Sequence, residues 1–212
     1  MWTGHTAGMA HPDQDAPVPG FRFKPTLDGD LVLLRPVAVD DLAALMPMFQ
    51  DAQTTRLTGS HGEDEPDEGR LRAWYSTRAD QDDRLDLAVV EKATEDVAGE
   101  AVLNEWDADN KSCSFRIAFA PGAQGRGLGT EATRLIVGYG FERLGLHRIS
   151  LEVYAFNPRA LRVYEKVGFV REGVLRDALL WEGEWVDAVV MSILAREWSE
   201  HRGRPERAGR PS

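Results

Sequence analysis

A glycine-rich turn between a predicted strand and a predicted helix carries the clearest chemical signal in the sequence. It runs from Gln124 to Thr130, and its inner residues are Gly125, Arg126, Gly127, Leu128 and Gly129. Alternating glycines let a backbone turn sharply and bring its N–H groups against a ligand without obstruction from Cβ atoms. The N-terminus of the following helix adds unsatisfied N–H donors and a partial positive charge, and Arg126 adds a cation. The turn therefore predicts a site for an anion such as a pyrophosphate.

Two other phosphate-binding motifs fit this turn poorly. A P-loop needs Gly-Lys followed by Ser or Thr, and the turn contains no lysine. A dinucleotide-binding fingerprint needs G-x-G-x-x-G, whereas the glycines here follow G-x-G-x-G. From the turn alone, a glycine-rich connection that binds nothing stays an open alternative.

A second motif lies downstream and reads Asn-Pro-Arg-Ala-Leu-Arg-Val-Tyr-Glu-Lys-Val-Gly-Phe from Asn157 to Phe169. With this motif present, Gln124-x-x-Gly127-x-Gly129 resembles the acetyl-CoA pyrophosphate loop of the GNAT N-acetyltransferases. The downstream motif resembles the second signature of the same family. The sequence around both motifs is similar to that of the branch that acetylates the N-termini of ribosomal proteins at alanine or serine. The resemblance extends over about residues 31 to 198.

The resemblance implies direct transfer of an acetyl group from acetyl-CoA to a primary amine, without a covalent enzyme intermediate. It implies that the turn binds the pyrophosphate and that the strand before it, at Ile117 and Phe119, binds the pantetheine arm through its backbone. Asn157 and Arg162 are implied as further cofactor contacts. Asn157 also suits a helix N-cap before a proline, and one asparagine can serve both purposes.

Tyr164 matches the family tyrosine that protonates the departing CoA sulfur. A phenol with an ordinary pKa of about 10 is a reasonable proton donor to a thiolate of pKa about 8.5. The alternative is a core tyrosine on an amphipathic helix, since Leu161 and Val167 stand three residues before and three after it.

The general base has several candidates. Glu152 lies twelve residues before Tyr164, as in the ribosomal-protein branch, and a carboxylate on a central strand is costly to bury without a partner. The alternative role for Glu152 is a salt bridge to Arg148 or Arg162. Glu105 and Asp107 are rival bases, acting directly or through water.

The main prediction for the acceptor is the N-terminal α-amine of a protein such as a ribosomal protein. An α-amine costs about 1 kcal/mol to deprotonate at pH 7 and a lysine amine about 4.6 kcal/mol, so a weakly placed carboxylate suffices for the former. Two alternatives stay open. One is a small-molecule amine acetyltransferase for a polyamine, an amino sugar or an antibiotic, and the other is a non-catalytic acyl-CoA-binding module.

The elements that position these residues alternate along the chain. Period-two patterns predict strands near residues 31–35, 85–90, 97–106, 113–119, 149–153, 169–180 and 185–194. Helices are predicted from residue 40 to 49, around residues 71–75, from 130 to 144 and from 157 to 168. This order indicates a mixed α/β sheet with helices on both faces. The resemblance implies the GNAT fold, whose mostly antiparallel, twisted sheet is splayed in the middle.

Composition sets the remaining expectations. The chain has 212 residues and a formal net charge of −10, which disfavours general binding of nucleic acid and suits a cationic substrate or simple solubility. Cys113 is the single cysteine and the five histidines are scattered, so we predict no disulfide and no metal site. We predict a flexible leader over residues 1–24, an acetyltransferase domain over 25–200 and a disordered basic tail over 201–212. We expect no membrane span and a cytoplasmic location, and the resemblance suggests a homodimer.

Overall fold

One twisted sheet organises residues 20–60 and 66–202, the parts of the chain that the computed structural model describes. Within them, eight strands form the sheet and six α-helices flank it. The strands are β1 (Leu27–Asp28), β2 (Val32–Pro36), β3 (Leu85–Glu91), β4 (Val97–Asp107), β5 (Ser112–Phe119), β6 (Arg148–Tyr154), β7 (Val170–Trp181) and β8 (Glu184–Leu194). The helices are α1 (Leu42–Gln50), α2 (Ala52–Thr58), α3 (Glu68–Tyr75), α4 (Leu128–Glu142), α5 (Pro158–Val167) and α6 (Ala195–His201).

The strand order is β1-β2-β3-β4-β5-β6-β8-β7, and every neighbouring pair is antiparallel except β5 and β6. This parallel pair is short, because only residues 112–114 of β5 pair with residues 148–150 of β6. Beyond Ser114 and Ser150 the two strands diverge, β5 staying with β4 and β6 staying with β8. The predicted mixed α/β sheet, mostly antiparallel and splayed in the middle, is confirmed.

Helices cover both faces of the sheet. The larger core lies under α4, α5 and α6, where the odd-numbered residues of β5 and β6 point, from Cys113 and Phe115 to Ile149. A smaller cluster on the opposite face joins α1 and α3 to β3 through Leu45, Tyr75 and Ala88. The alternation read from the sequence therefore places even-numbered residues of β5 and β6 on the side of α1 to α3.

Helix α5 has both of its ends fixed by local chemistry. The Asn157 side chain accepts a hydrogen bond from the backbone N–H of Ala160, and Pro158 occupies the first helical position. Gly168 ends the helix in the left-handed conformation with φ 112°. The predicted helix from 157 to 168 is thus confirmed, and Asn157 does act as its N-cap.

Some elements differ from the sequence expectations. Helices α2 and α6 and the two-residue strand β1 carry no strong periodic signal and were not predicted. Pro47 lies inside α1 without ending it at once, and the helix stops three residues later. Helix α4 begins two residues earlier than predicted, because Gly127 takes φ 88° and serves as the N-cap itself.

Some residues that precede position 25 already pack against the folded domain. Phe21 is 1% exposed and its ring lies edge-on to Trp106, with 5.6 Å between the ring centroids. The Lys24 ammonium donates to the carbonyl oxygens of Gln81 and Arg84. Phe21 and Lys24, which fall in the predicted leader, therefore pack with the domain, while residues 1–19 and most of the predicted tail, 203–212, lie outside the described residues.

Glu100 is a buried carboxyl in the smaller core, and its replacement by glutamine should stabilise the protein at neutral and higher pH. Tyr75 donates to its Oε2 at 2.9 Å, while Oε1 is buried without a partner among the described residues. Burial, with Asp86 nearby, raises the pKa of Glu100 from 4.5 to about 7. The folded state therefore keeps a proton that the unfolded state releases, so stability falls as pH rises through that interval, by up to about 3 kcal/mol.

The comparison is thermal unfolding of wild type and Glu100→Gln at about pH 8 and about pH 4, where linkage predicts different outcomes. We expect the variant to be more stable at the higher pH and to lose that advantage at the lower one. An equal change in stability at both pH values would contradict the prediction.

Candidate active site

A cavity of about 730 Å³ opens where β5 and β6 diverge. The outer half of both strands lines it, together with the glycine-rich turn, the first turns of α5 and one side of α2. The N-terminus of α4 and the N-terminus of α5 meet at one end, and the even-numbered side chains of β5 and β6 face α2 at the other. After the roles expected from the sequence, we call these the phosphate end and the acceptor end of the cavity.

The glycine-rich turn forms the phosphate end. Gly125 and Gly127 have φ 90° and 88°, a conformation that costs other residues free energy. The backbone N–H groups of residues 124–129 donate to no carbonyl or side chain in the part of the chain that the structure describes. They stand at the start of a 15-residue helix, so the turn presents a row of donors and a partial positive charge to an anion.

Glu131 holds this turn in place. Its carboxylate accepts the backbone N–H groups of Asp30, Leu31 and Val32 at 2.8, 2.7 and 2.8 Å. These three bonds tie the first turn of α4 to the tip of the β1–β2 hairpin. The donors of the glycine-rich turn are therefore fixed relative to the sheet before any ligand binds.

The predicted cofactor residues of the turn divide into two groups. The cavity is lined by Gln124, Gly125, Gly127, Gly129 and Thr130. Arg126 is instead held away, because its guanidinium pairs with Glu91 at 2.7 Å, and the Leu128 side chain is 2% exposed in the core. The contribution of these last two residues to an anion site is thus limited to their backbone N–H groups.

Helix α5 adds a row of cations that sequence reasoning found only in part. Arg162 was predicted, and Arg159 and Lys166 also line the cavity. The Arg159 guanidinium donates to Gln124 Oε1 at 2.9 Å and so reaches across to the turn. The spacing of three and then four residues puts all three cations on one helical face, a signal that was readable in the sequence. Asn157, Ile117 and Phe119 line the same cavity.

Tyr164 lies between the core and the cavity. Its ring is 8% exposed and packs against Phe115 and Phe169, with centroid distances of 6.1 and 5.8 Å. Burial raises the pKa of Tyr164 to about 12. The ring is thus a core side chain that also lines the cavity, and the role of Tyr164 as the acid stays a prediction.

The acceptor end presents two of the three predicted carboxylates. Glu105 and Glu152 line the cavity, and Ser114 Oγ donates to Glu105 Oε2 at 2.6 Å.

The third predicted carboxylate, Asp107, does not line the cavity. It caps a turn instead, because its carboxylate accepts the backbone N–H and the side-chain amide of Asn110. The alternative salt bridge from Glu152 to Arg148 is not formed, since Arg148 pairs with Glu172.

Other chemistries find no support among the described residues. Cys113 is 3% exposed, and burial raises the pKa of its thiol to about 12, as expected for a structural thiol. Within residues 20–60 and 66–202, no group of three or more His, Cys, Asp or Glu side chains is placed to hold a metal ion. None of the helices described is long and apolar enough to cross a membrane.

Comparison with known proteins identifies the family. The acetyltransferase (GNAT) domain model matches residues 32–170, a span that contains the glycine-rich turn, both diverging strands and α5. The chain belongs to the GNAT acetyltransferase family. Acetyl-CoA is the acyl donor of this family, so the predictions of an acetyl-CoA-dependent N-acetyltransferase and of acetyl-CoA as co-substrate are confirmed.

The GNAT relatives include two spermidine N(1)-acetyltransferases. The protein from Vibrio cholerae is 36% identical over 110 residues, 52% of this chain and 64% of that protein, just under two thirds of its length. The protein from Escherichia coli K12 is 28% identical over 172 residues, which cover 81% of this chain and 90% of that protein. A crystal structure of the Vibrio cholerae enzyme in complex with CoA and spermine superposes with a TM-score of 0.74, at 26% identity, over 81% of this chain and 99% of that one.

A likeness to the ribosomal branch is also present but covers less. A Bacillus subtilis protein whose name marks it as a candidate ribosomal N-acetyltransferase is 33% identical over 102 residues, 48% of this chain and 56% of that protein. The comparisons therefore establish the GNAT family without singling out the ribosomal branch that the sequence motifs suggested.

Proposed function

We propose that this GNAT protein acetylates a primary amine of a small polycation of the spermidine class. The observation that carries the proposal is the pair of carboxylates at the acceptor end, Glu105 and Glu152, neither of which has an ion-pair partner among the described residues. Two carboxylates facing one cavity favour a ligand with more than one ammonium group. The relatives named for spermidine support the same substrate class, and they favour it over the protein N-terminus.

The reaction assigns each group of the site a task. At the phosphate end, the turn and the α5 cations bind the pyrophosphate and the other phosphate charges of acetyl-CoA, and the diverging strands bind its pantetheine arm. At the acceptor end, a carboxylate takes a proton from the ammonium, whose nitrogen then bonds to the acetyl carbon. Tyr164 donates its proton to the sulfur as the carbon–sulfur bond breaks. The nitrogen releases its second proton, which restores the Tyr164 hydroxyl through solvent, so the products are the N-acetyl amine and CoA with a free thiol.

The proton balance explains why a polyamine needs a placed base. A primary ammonium of pKa about 10.4 costs about 4.6 kcal/mol to deprotonate at pH 7. A carboxylate that also binds the cation brings the proton acceptor to the nitrogen at which the reaction occurs. The site supplies such carboxylates within the described residues, and the acidic segment that contains Glu63 and Asp64 lies outside them.

The experiment is a thiol-release assay with acetyl-CoA on a matched panel of acceptors. The panel contains spermidine, spermine and putrescine, peptides with free N-terminal alanine or serine, and amino sugars. We expect turnover with the polyamines at values of kcat/KM at least about 100-fold above the peptides, equivalent to about 2.7 kcal/mol in transition-state binding. Preferred turnover of the peptides would overturn the proposal and restore the N-terminal prediction, and acetyl-CoA binding without turnover would indicate the non-catalytic module.

Three finer predictions go beyond the comparisons. Membership of the ribosomal-protein branch, assembly as a homodimer and a cytoplasmic location each stay predictions. The acceptor panel tests the first, and measurement of the molar mass in solution tests the second.

A further inference from the structure

The end of β4 contains an irregularity next to the acceptor end of the cavity. Asn104 pairs with Ser114 and Asp107 pairs with Ser112, so Glu105 and Trp106 together oppose the single residue Cys113. This is a β-bulge, and Glu105 in it takes φ 53°, a left-handed conformation that is unfavourable for a residue with a side chain. Such bulges re-aim side chains and are common beside active sites.

The bulge changes the direction of the Glu105 side chain. In a regular strand, Glu105 would point to the face opposite Asn104, toward the core under α4. Instead its carboxylate reaches Ser114, the cross-strand partner of Asn104, and lines the cavity on the side of α2. The backbone strain at Glu105 therefore coincides with delivery of a carboxylate to the acceptor end.

Ser114 stands at the point from which the cavity opens. It is the last residue of β5 that pairs with β6, opposite Ser150. Its hydroxyl donates to Glu105 Oε2 at 2.6 Å, and Glu105 Oε1 has no hydrogen-bond partner among the described residues. A carboxylate held through one oxygen keeps the other for a substrate proton.

The remaining charged and titratable groups around this carboxylate come from three elements. Arg116 follows Ser114 on the same face of β5, Glu152 and Tyr154 extend from β6, and Tyr164 belongs to α5, as do the cations of the phosphate end. Glu152 has no hydrogen-bond partner among the described side chains, so its rotamer is not fixed as that of Glu105 is.

We propose that Glu105 is the base that takes the proton from the acceptor amine and that Ser114 is its positioning residue. Glu152 then binds a second ammonium group of the substrate. The proton moves from the ammonium nitrogen to Glu105 Oε1, and Ser114 keeps its own proton throughout. This assignment rests on the proposed amine acetylation and adds which carboxylate acts and what holds it.

The test compares Glu105→Gln, Glu152→Gln, Ser114→Ala and Ser114→Thr near neutral pH and at about pH 10, close to the pKa of about 10.4 of the amine. Near neutral pH, Glu105→Gln should lower kcat by about 100-fold. The deficit should shrink by about 10-fold or more at the higher pH, where solvent has already removed much of the proton. Because a merely structural role would not depend on the protonation of the substrate, this pH dependence is the decisive readout.

The serine variants separate positioning from packing. Ser114→Ala should lower kcat by about 10-fold with little change in KM, again less at high pH, while Ser114→Thr, which keeps the hydroxyl, should stay within about 3-fold of wild type. Glu152→Gln should raise KM for a polyamine and leave kcat within about 3-fold. Thermal unfolding of each variant confirms that the comparison concerns folded protein.

Two results would overturn the assignment. One is wild-type kcat in Glu105→Gln near neutral pH, and the other is a pH-dependent loss of kcat in Glu152→Gln alone. The proposed substrate class fails separately, through wild-type preference for peptides on the acceptor panel. In that event the variants are measured with the preferred peptide, and the same pH-dependent deficit in Glu105→Gln would still support the assignment of the base.

Discussion

Replacing Tyr164 by phenylalanine should lower kcat by about 100-fold or more and leave acetyl-CoA binding nearly unchanged. The ring lies in the core against Phe115 and Phe169, and phenylalanine preserves that packing, so the variant loses only the hydroxyl that lines the cavity. Without the hydroxyl the sulfur must leave as a thiolate, and general acid catalysis typically contributes about 10²- to 10⁴-fold. The measurement is kcat from thiol release with the best acceptor amine, beside titration calorimetry with acetyl-CoA.

The pKa of Tyr164 gives this prediction a second test. The acid acts only while protonated, and burial raises its pKa to about 12. Its contribution should therefore persist across neutral and moderately alkaline pH and be lost only as pH rises through about 12. The ratio of wild-type to variant kcat should stay constant between about pH 7 and about pH 10. A ratio near one would remove Tyr164 from the mechanism, whereas a large ratio that falls steadily across that range would keep Tyr164 as the acid and contradict its raised pKa.

Replacing Gly127 by alanine should weaken acetyl-CoA binding by about 10- to 100-fold, or about 1.4 to 2.8 kcal/mol. Gly127 has φ 88°, a left-handed conformation that disfavours alanine, and an added Cβ would lie 3.2 Å from Cδ1 of Leu31, an exposed side chain that can move aside. Relief of this backbone strain shifts the turn, and its N–H groups then move away from the positions proposed to face the pyrophosphate. Titration calorimetry with acetyl-CoA measures the loss of affinity directly.

Gly122 supplies a matched control for this variant. It has φ 83°, close to that of Gly127, but an added Cβ would meet nothing within 4 Å. Alanine at either position carries a similar backbone strain, so both variants should lose similar stability. Only Gly127→Ala should lose affinity for acetyl-CoA, with Gly122→Ala within about 3-fold of wild type. Equal losses of affinity in the two variants would show that a general loss of stability, rather than a change in the shape of the turn, is responsible.

Much of the fold was predictable because its signals are local. The alternation of Cys113, Phe115 and Ile117 with polar residues predicted β5 and its buried face. Asn157, Pro158 and Gly168 predicted the ends of α5, since capping depends on residues adjacent in the chain. Helices α2 and α6 were missed because they are seven residues long, and a short helix gains its stability from packing rather than from its own periodicity.

The site was predictable to the extent that it is encoded by motifs. Asn157, Arg162, Tyr164 and the residues of the glycine-rich turn other than Arg126 and Leu128 line the cavity. The partners of individual charges were less predictable. The ion pairs Arg126–Glu91 and Arg148–Glu172 join residues that are far apart in the chain. No sequence pattern around one member of a pair specifies the other member.

The sequence by itself indicated the family, the glycine-rich turn proposed to bind phosphate and the tyrosine proposed as the acid, because each is a short run of residues whose chemistry depends on near neighbours. Only the tertiary structure decided where the carboxylates stand. Asp107 caps a turn, and Glu105 reaches Ser114 through a bulge in the pairing of β4 with β5. Strand register is a property of two segments packed together, and a shift of one residue exchanges the two faces of a strand. The geometry of the acceptor end therefore exists only once the sheet has formed.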